Sequence, residues 1–275
     1  MSRSIIFDTE TTGLNEEDRI IQVGAITVDS RDKEYSVLHN ELCSSIVPIK
    51  IEAMSTHGIR QVEVDDKPSF KESAFLKHLN ELNNEENYLI AHNLDFDLSM
   101  LTKEGFENKM QLIDTLQCAK HVFEIGNDIN GYKVPNYKLQ TFRYMMLSQE
   151  NEDEEAKKYA VEIKAHDAIG DVVILKLFLR ELAKKVMQKY ELKSYTEIMN
   201  KMVELTKLPA EVKVINFGKH SGKTVLEIEA IDSGWIDWLY KEQKKQKQSD
   251  DPKFNKDLFW TLDKIINNRN KNPGQ

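Results

Sequence analysis

Ile5-Ile6-Phe7-Asp8-Thr9-Glu10-Thr11-Thr12-Gly13-Leu14 is the stretch from which the rest of the chain is read. Ile5–Glu10 is β-rich at its start and alternates weakly, so it reads as a strand. Thr11-Thr12-Gly13 supplies the turn chemistry that ends it. Residues two apart on a strand share a face. Asp8 and Glu10 therefore project together from one side of a sheet, at the C-terminal end of a strand whose Ile5, Ile6 and Phe7 belong in a core. Two adjacent anions at a core edge repel unless something cationic sits between them. An all-oxygen pair suits a hard cation such as Mg²⁺ or Mn²⁺.

Outward from this strand, Ile20–Val28 is a second β-branched run, with Gly24 inside it marking a bulge or a close approach. A third strand is predicted within Tyr35–Val47. The short connections between the three imply an antiparallel meander. The pattern then changes. A helical stretch is predicted from Lys67-Pro68-Ser69-Phe70 to about Leu82, a buried strand at Tyr88–Ala91, and a helix opening near Asp97. A strand at Leu112–Asp114 and helices over Thr115–Phe123, Lys138–Met146 and Asp167–Lys185 follow, with Glu150–Glu155 read as a solvated acidic connector. Three strands followed by strand–helix alternation predict an α/β fold, an α+β mixed sheet flanked by helices.

Two further constellations carry candidate chemistry. His92-Asn93-Leu94-Asp95-Phe96-Asp97 follows a short apolar strand and opens a helix, and His166-Asp167-Ala168-Ile169-Gly170-Asp171 starts the long one. At ~100° per residue, positions five apart are well separated around a helix. His166 can meet Asp171 only from before the helix or from its first turn.

Composition bounds the class. The 275 residues are 40% apolar and 31% charged, which excludes a disordered polyelectrolyte. Apolar runs such as Val172–Leu175 fall far short of the ~20 residues of a membrane span. Ile5–Phe7 meets Asp8 too soon for a secretion signal. Cys43 and Cys118 cannot make a disulfide framework. A cytoplasmic location and no membrane partner are the expectation. Net charge is −8, unevenly spread: residues 1–180 hold 20 Lys/Arg against 32 Asp/Glu, and residues 181–275 hold 18 against 14. Such a chain does not grip a polyanion by bulk charge; it would do so locally or through metal ions.

The character shifts after Lys185. Lys184–Leu208 is charged and helical in period, Pro209 punctuates, Val212–Tyr240 carries its own glycines and tryptophans, Lys241–Gln248 is a Lys/Gln run, and Asp257–Asn267 is a candidate last helix. Gly218-Lys219-His220-Ser221-Gly222-Lys223-Thr224 has three residues between its glycines where a phosphate loop needs four, which excludes nucleoside triphosphatase chemistry.

Taken together, Phe7-Asp8-Thr9-Glu10-Thr11-Thr12-Gly13-Leu14, Ala91-His92-Asn93 with Phe96-Asp97, and His166 with Asp171 resemble the three motifs of the DEDDh 3′→5′ exonucleases of the DnaQ-like superfamily. Thr56-His57-Gly58-Ile59, Lys67-Pro68-Ser69-Phe70, Asp114-Thr115-Leu116 and Tyr137-Lys138-Leu139 fit between them, so the resemblance covers about residues 3–182. It implies an RNase H-like fold. It implies Asp8, Glu10, Asp97 and Asp171 as ligands of two ions, Mg²⁺ or Mn²⁺, and His166 as general base. It also implies that Thr11, Leu14, His57, His92 and Phe96, which occupy the family's nucleotide-contacting positions, help to hold the terminal nucleotide. Asp97 is preferred to Asp95 because it directly follows Phe96. Phe217-Gly218-Lys219 to Gly222-Lys223, with Asp232-Ser233-Gly234-Trp235 and Trp238-Leu239, resembles a small module appended to exodeoxyribonuclease X-like enzymes. The implied layout is an exonuclease domain over 1–183, a helical connector over 184–210, and a small module with a helical tail over 211–275. The implied activity is release of nucleoside 5′-monophosphates from DNA 3′ ends, single-stranded or frayed. RNA trimming or service as a proofreading subunit beside a DNA polymerase or repair partner are the alternatives.

Overall fold

The computed structural model describes residues 2–32, 34–249, 251 and 253–271. Its frame is a five-stranded sheet in the order β3-β2-β1-β4-β5, built from β1 (Arg3–Thr11), β2 (Ile20–Asp29), β3 (Ser36–Leu42), β4 (Tyr88–Ala91) and β5 (Gln111–Asp114). β1–β3 form the expected antiparallel meander, and β4 and β5 run parallel to β1. A two-stranded ribbon, β6 (Asp128–Ile129) with β7 (Tyr132–Lys133), stands apart. The helices are α1 (Ile51–His57), α2 (Gln61–Val64), α3 (Ala74–Glu81), α4 (Leu94–Lys103), α5 (Thr115–Val122), α6 (Leu139–Met146), α7 (Gln149–Tyr159), α8 (Ala168–Lys189), α9 (Tyr195–Lys207), α10 (Val225–Ile231), α11 (Ser233–Gln248) and α12 (Lys256–Lys271).

The two-residue period of β1 divides the core. Ile6 lies with Ile26, Ile90 and Ile113 under α5, α6, α8 and α9, whereas Ile5 and Phe7 face the opposite layer with Val23, Phe75 and Leu101. Asp8 and Glu10 continue the Ile6 face by parity, so they emerge on the side covered by α8. β1 is the central strand and, like β2 and β4, is paired on both edges, which fixes where these carboxylates start.

Several elements depart from the sequence expectations. The stretch expected as one helix to Leu82 is a 3₁₀ turn at Phe70–Glu72 followed by α3, because Ser73 adopts extended ψ 146° and caps α3 by accepting from the Leu76 amide. α4 opens earlier than Asp97, after Asn93 in the left-handed conformation (φ 73°), which Asn tolerates better than most residues. The acidic segment Glu150–Glu155 is not a solvated connector. It lies in α7, and the three-residue spacing of Glu152 and Glu155 puts both on the buried face. There Arg143 holds Glu152 through Nε at 3.0 Å and Nη2 at 2.6 Å, and Lys176 of α8 pairs with Glu155. The charge pattern alone could not show that cations wait on α6 and α8. Residues 184–210 hold the end of α8 and α9, and Met199, Met202, Val203 and Leu205 of α9 are buried in the same cluster as α8.

The C-terminal helices have their own aliphatic cluster, with Ile215, Ile228, Ile236, Leu239 and Leu262 at its centre. Asp257 ties it to the sheet domain by accepting from Gln117 Nε2 (2.9 Å), Lys120 Nζ (2.8 Å) and the Ala210 amide (2.9 Å). No helix among the described residues is long and apolar enough to cross a membrane.

Candidate active site

Three chain segments meet over the C-terminal end of β1. The first is β1 itself, where Asp8 lies opposite Gly24 of β2 and the register shifts between Glu10 and Thr11. The second is the first turn of α4, which brings in Asp97; its Oδ1 accepts from the Thr9 amide (3.1 Å) and the Thr9 hydroxyl (2.7 Å). The third is the start of α8. His166 precedes the N-cap Asp167 and adopts φ 59°. That backbone turn lets its own amide donate to Asp171 Oδ2 at 3.0 Å across five residues, the arrangement required by the angular argument.

α8 can approach this closely because of Gly24. A Cβ there would lie 2.4 Å from Ala168 C and Ile169 N. The close approach anticipated at Gly24 is therefore the passage of the α8 N-terminus over β2. Gln22, one pleat along, fastens it: its Nε2 donates to Asp167 Oδ1 (2.8 Å) and its Oε1 accepts from the Ala168 amide (3.3 Å). On the far side, Gln140 of α6 donates to Asp171 Oδ1 at 2.5 Å.

The result is a pocket of uncompensated negative charge. Burial, and then the charges of Asp97, Glu10, Asp171 and Asp167, hold the Asp8 carboxyl well above its ordinary range. Burial and the neighbouring acids push Glu10 up to about 8. Burial drives Asp97 up to about 7 against the lowering effect of its Thr9 hydrogen bonds. Asp171 is raised as well, chiefly by burial. Among the described residues no Lys or Arg makes an ion pair with any of the four. Glu10, His166 and Asp171 each offer one ligand atom, and these atoms lie within 4.8 Å of one another. Four carboxylates that resist ionising together, with an imidazole at the rim, form a donor set that a hard divalent cation fits.

The family model described as "Exonuclease" matches residues 5–179. The chain belongs to the exonuclease family. A second model, the exodeoxyribonuclease X-like C-terminal region, matches residues 215–244. Over 136 residues the chain is 37% identical to the DNA polymerase III subunit epsilon of Buchnera aphidicola (Schizaphis graminum strain), covering 44% of this chain and 57% of that subunit. It spans little more than half the length of the epsilon subunits it matches. It is 24% identical to exodeoxyribonuclease 10 of Escherichia coli K12 over 86% of this chain and 89% of the relative. The solved structure of E. coli exonuclease I with a dT13 oligonucleotide superposes with a TM-score of 0.50 at 18% identity, over 70% of this chain and 43% of that one. The fold is RNase H-like, as the resemblance implied. The exonuclease family is metal-dependent, and the acidic/His group just described is of the kind that could hold a metal.

The residues expected to hold a terminal nucleotide are disposed differently from one another. Leu14 is 81% exposed on a turn clamped by buried Asp18, which accepts from Thr12 Oγ1, the Asn15 amide and Lys50 Nζ. Thr11 is buried and donates its hydroxyl to the Gly13 carbonyl. His57 accepts from the Ile59 amide through Nδ1, and burial lowers its basicity. Phe96 is half-buried against the Phe7 layer. His92 has both ring nitrogens engaged inside the protein, with Thr115 Oγ1 (2.9 Å) and the Tyr137 carbonyl (2.8 Å), and burial pushes it down to about 4. It joins three segments rather than offering a free nitrogen to a ligand. Asp95 is exposed, while Asp97 is buried in the cluster. Gln22, Gln140 and Asp167 were not singled out from the sequence. Asp167 sits inside a quoted motif, but nothing in the pattern of two glutamines on a strand and a helix marks them.

Proposed function

We propose that this protein is a 3′→5′ exodeoxyribonuclease that releases nucleoside 5′-monophosphates. The observation that carries the proposal is the convergence of Glu10, His166 and Asp171 beside Asp8 and Asp97, with no Lys or Arg among the described residues ion-paired to these acids. Asp8, Glu10, Asp97 and Asp171 would hold two divalent ions, Mg²⁺ or Mn²⁺. Such ions, when bound, supply Lewis-acid stabilisation of phosphoryl oxygens and make water a better nucleophile.

The chain's own residues do the rest. An imidazole nitrogen of His166 accepts the proton of the attacking water. The water oxygen bonds to phosphorus as the bond to the 3′ oxygen of the preceding nucleotide breaks. Thr9 keeps Asp97 turned into the cluster, and Gln22 and Gln140 fix the start of α8, so that Asp171 and His166 stay in register with β1. Exposed Leu14 and half-buried Phe96 would supply apolar contacts to the terminal base. The proposed organisation has the catalytic residues within 1–183, an intervening segment 184–210 and a module over 211–275.

DNA is favoured over RNA by the likeness to exodeoxyribonuclease 10 along most of the chain. The 37% identity to an epsilon subunit favours a second reading, a proofreading subunit that docks on a polymerase. Digestion of matched 3′-labelled DNA and RNA oligonucleotides by the isolated chain tests both. Mononucleotide release from DNA with Mg²⁺, abolished by EDTA, is expected. EDTA-resistant turnover would overturn the metal assignment, and preferential RNA cleavage would overturn the substrate.

A further inference from the structure

The C-terminal module has a surface that the hydrolysis of a phosphodiester does not need. The centre of its core is aliphatic, and Trp235 and Tyr240 pack against it from one side. From Trp235 outward, Phe217, Trp235 and Trp238 form a continuous row, with ring centroids 6.2 and 6.1 Å apart. Phe217 is 47% and Trp238 53% exposed. Gly218 takes a positive φ of 64°, and a Cβ added there would make an ordinary contact with the Trp235 ring, at 3.7 Å. The His220 ring meets Trp235 edge-on at 5.0 Å. His220 is fixed by Asp232 at 2.9 Å, and Asp232 also pairs with Lys219 and caps α11.

Cations continue the row. Lys241 and Lys245 follow Trp238 by three and seven residues, the spacing that keeps side chains on one helix face. Both are exposed, and among the described residues neither has an acidic partner. Lys223 is likewise exposed, with the Glu227 carboxylate as its acidic neighbour. The neighbouring cleft of about 760 Å³ differs in character. Its Lys120 and Lys213 are already paired with Asp257 and Glu124, and its Lys189 donates to the His121 carbonyl.

We propose that the Phe217–Trp235–Trp238 row, extended by Lys241 and Lys245 along α11, is a stacking platform for single-stranded DNA outside the active site. The inference rests on the nucleic-acid substrate proposed above. Its physical basis is that every base has a π-face, so a preformed aromatic row flanked by unpaired lysines binds single strands without reading sequence. Exposed aromatics on a small module otherwise carry an association risk. The platform gives a net-acidic chain a local grip on a polyanion.

The test uses the full chain and a fluorescein-labelled dT20, with Ca²⁺ present to suppress cleavage. Trp238→Ala is expected to weaken dT20 binding by about 5- to 160-fold, the range of one lost stacked base, and Trp238→Phe to restore most of it. The Lys241→Ala/Lys245→Ala pair is expected to reduce the log–log salt slope by about 1.4, at ~0.7 per lost phosphate contact on a single strand. Turnover of p-nitrophenyl thymidine 5′-monophosphate, a single-nucleotide substrate, is expected to be unchanged in all three variants. Equal dT20 affinity in Trp238→Ala and the wild type would overturn the platform and leave this face to a protein partner. A parallel loss of single-nucleotide turnover would also overturn it, because the lesion would then lie in the fold. If the wild type hydrolyses no oligonucleotide yet binds dT20 through Trp238, the nuclease reading fails and the platform stands.

Discussion

Replacing Gly24 with alanine tests whether the site depends on how closely α8 crosses β2. The added Cβ would sit 2.4 Å from two backbone atoms of Ala168 and Ile169, against an ordinary contact of ~3.5–4.0 Å. The start of α8 must therefore retreat by about 1 Å. The obstruction is main chain, so no rotamer change relieves it, and Ala168→Gly as a second substitution should not rescue the variant. Overpacking of this kind costs ~1–3 kcal/mol, which lowers Tm by about 2–12 °C in a protein of this size. The retreat carries Asp171 and His166 away from Asp8 and Glu10, and a misplacement of about 1 Å costs roughly 10²-fold in rate. The assay is kcat on 3′-labelled DNA at a temperature well below the variant's own Tm, so that lost folding is not counted as lost catalysis. A Gly24→Ala protein that is folded and turns over like the wild type would refute the claim that this contact sets the site.

Other outcomes follow from the charge cluster. Asp8→Asn is expected to abolish turnover while raising the Tm of the metal-free protein, because it removes one of several repelling buried carboxyls; full activity would sink the assignment. In the metal-free state Glu10 and Asp97 are pushed to about 8 and about 7, above the ~4 of an unfolded chain. The folded state then binds more protons, and the stability these groups contribute is complete below pH ~4 and is lost as pH rises through ~7–8. Melts in EDTA should therefore show Tm falling between pH 5 and 8.5, with Mg²⁺ or Mn²⁺ restoring it, and calorimetry in two buffers should show protons released on metal binding near neutral pH. His166→Asn, chosen because Asn tolerates the φ of 59°, should lower kcat by ~10²–10⁴-fold and flatten the acidic limb of the pH–rate profile. Lost Mn²⁺ affinity in that variant would make His166 a ligand instead of a base.

What the sequence revealed depended on whether local geometry was enough. Asp8 and Glu10 share a face because strands have period two, and His166 had to precede its helix because of the helical angle; both are properties of a few adjacent residues. Gly24 was legible as a close approach, though not what approached it. Gln22, which reaches Asp167 across 145 residues, gives no local signal, since a glutamine on a strand is ordinary. Glu152 and Glu155 were misread for the same reason: which face of α7 meets Arg143 and Lys176 is a tertiary fact. His92 was placed in the right neighbourhood, but only its partners Thr115 and Tyr137, both distant in sequence, reveal that its ring is a brace.

The dependence of the site on Gln22 and Gly24 also bears on when the chain can become a nuclease. Asp8 and Glu10 are made first and Asp97 next, and Asp171 joins them only when α8 docks on β2. Before that docking the acids are scattered along a partly ordered chain and no hydrolytic centre exists. Closing so long a loop is entropically slow relative to local hairpins and helices. On the proposed reading, the assembled acid cluster should thus be among the last features acquired in folding, and the first surrendered when the α8 N-terminus lifts, so that an immature or failing copy would leave its substrate intact.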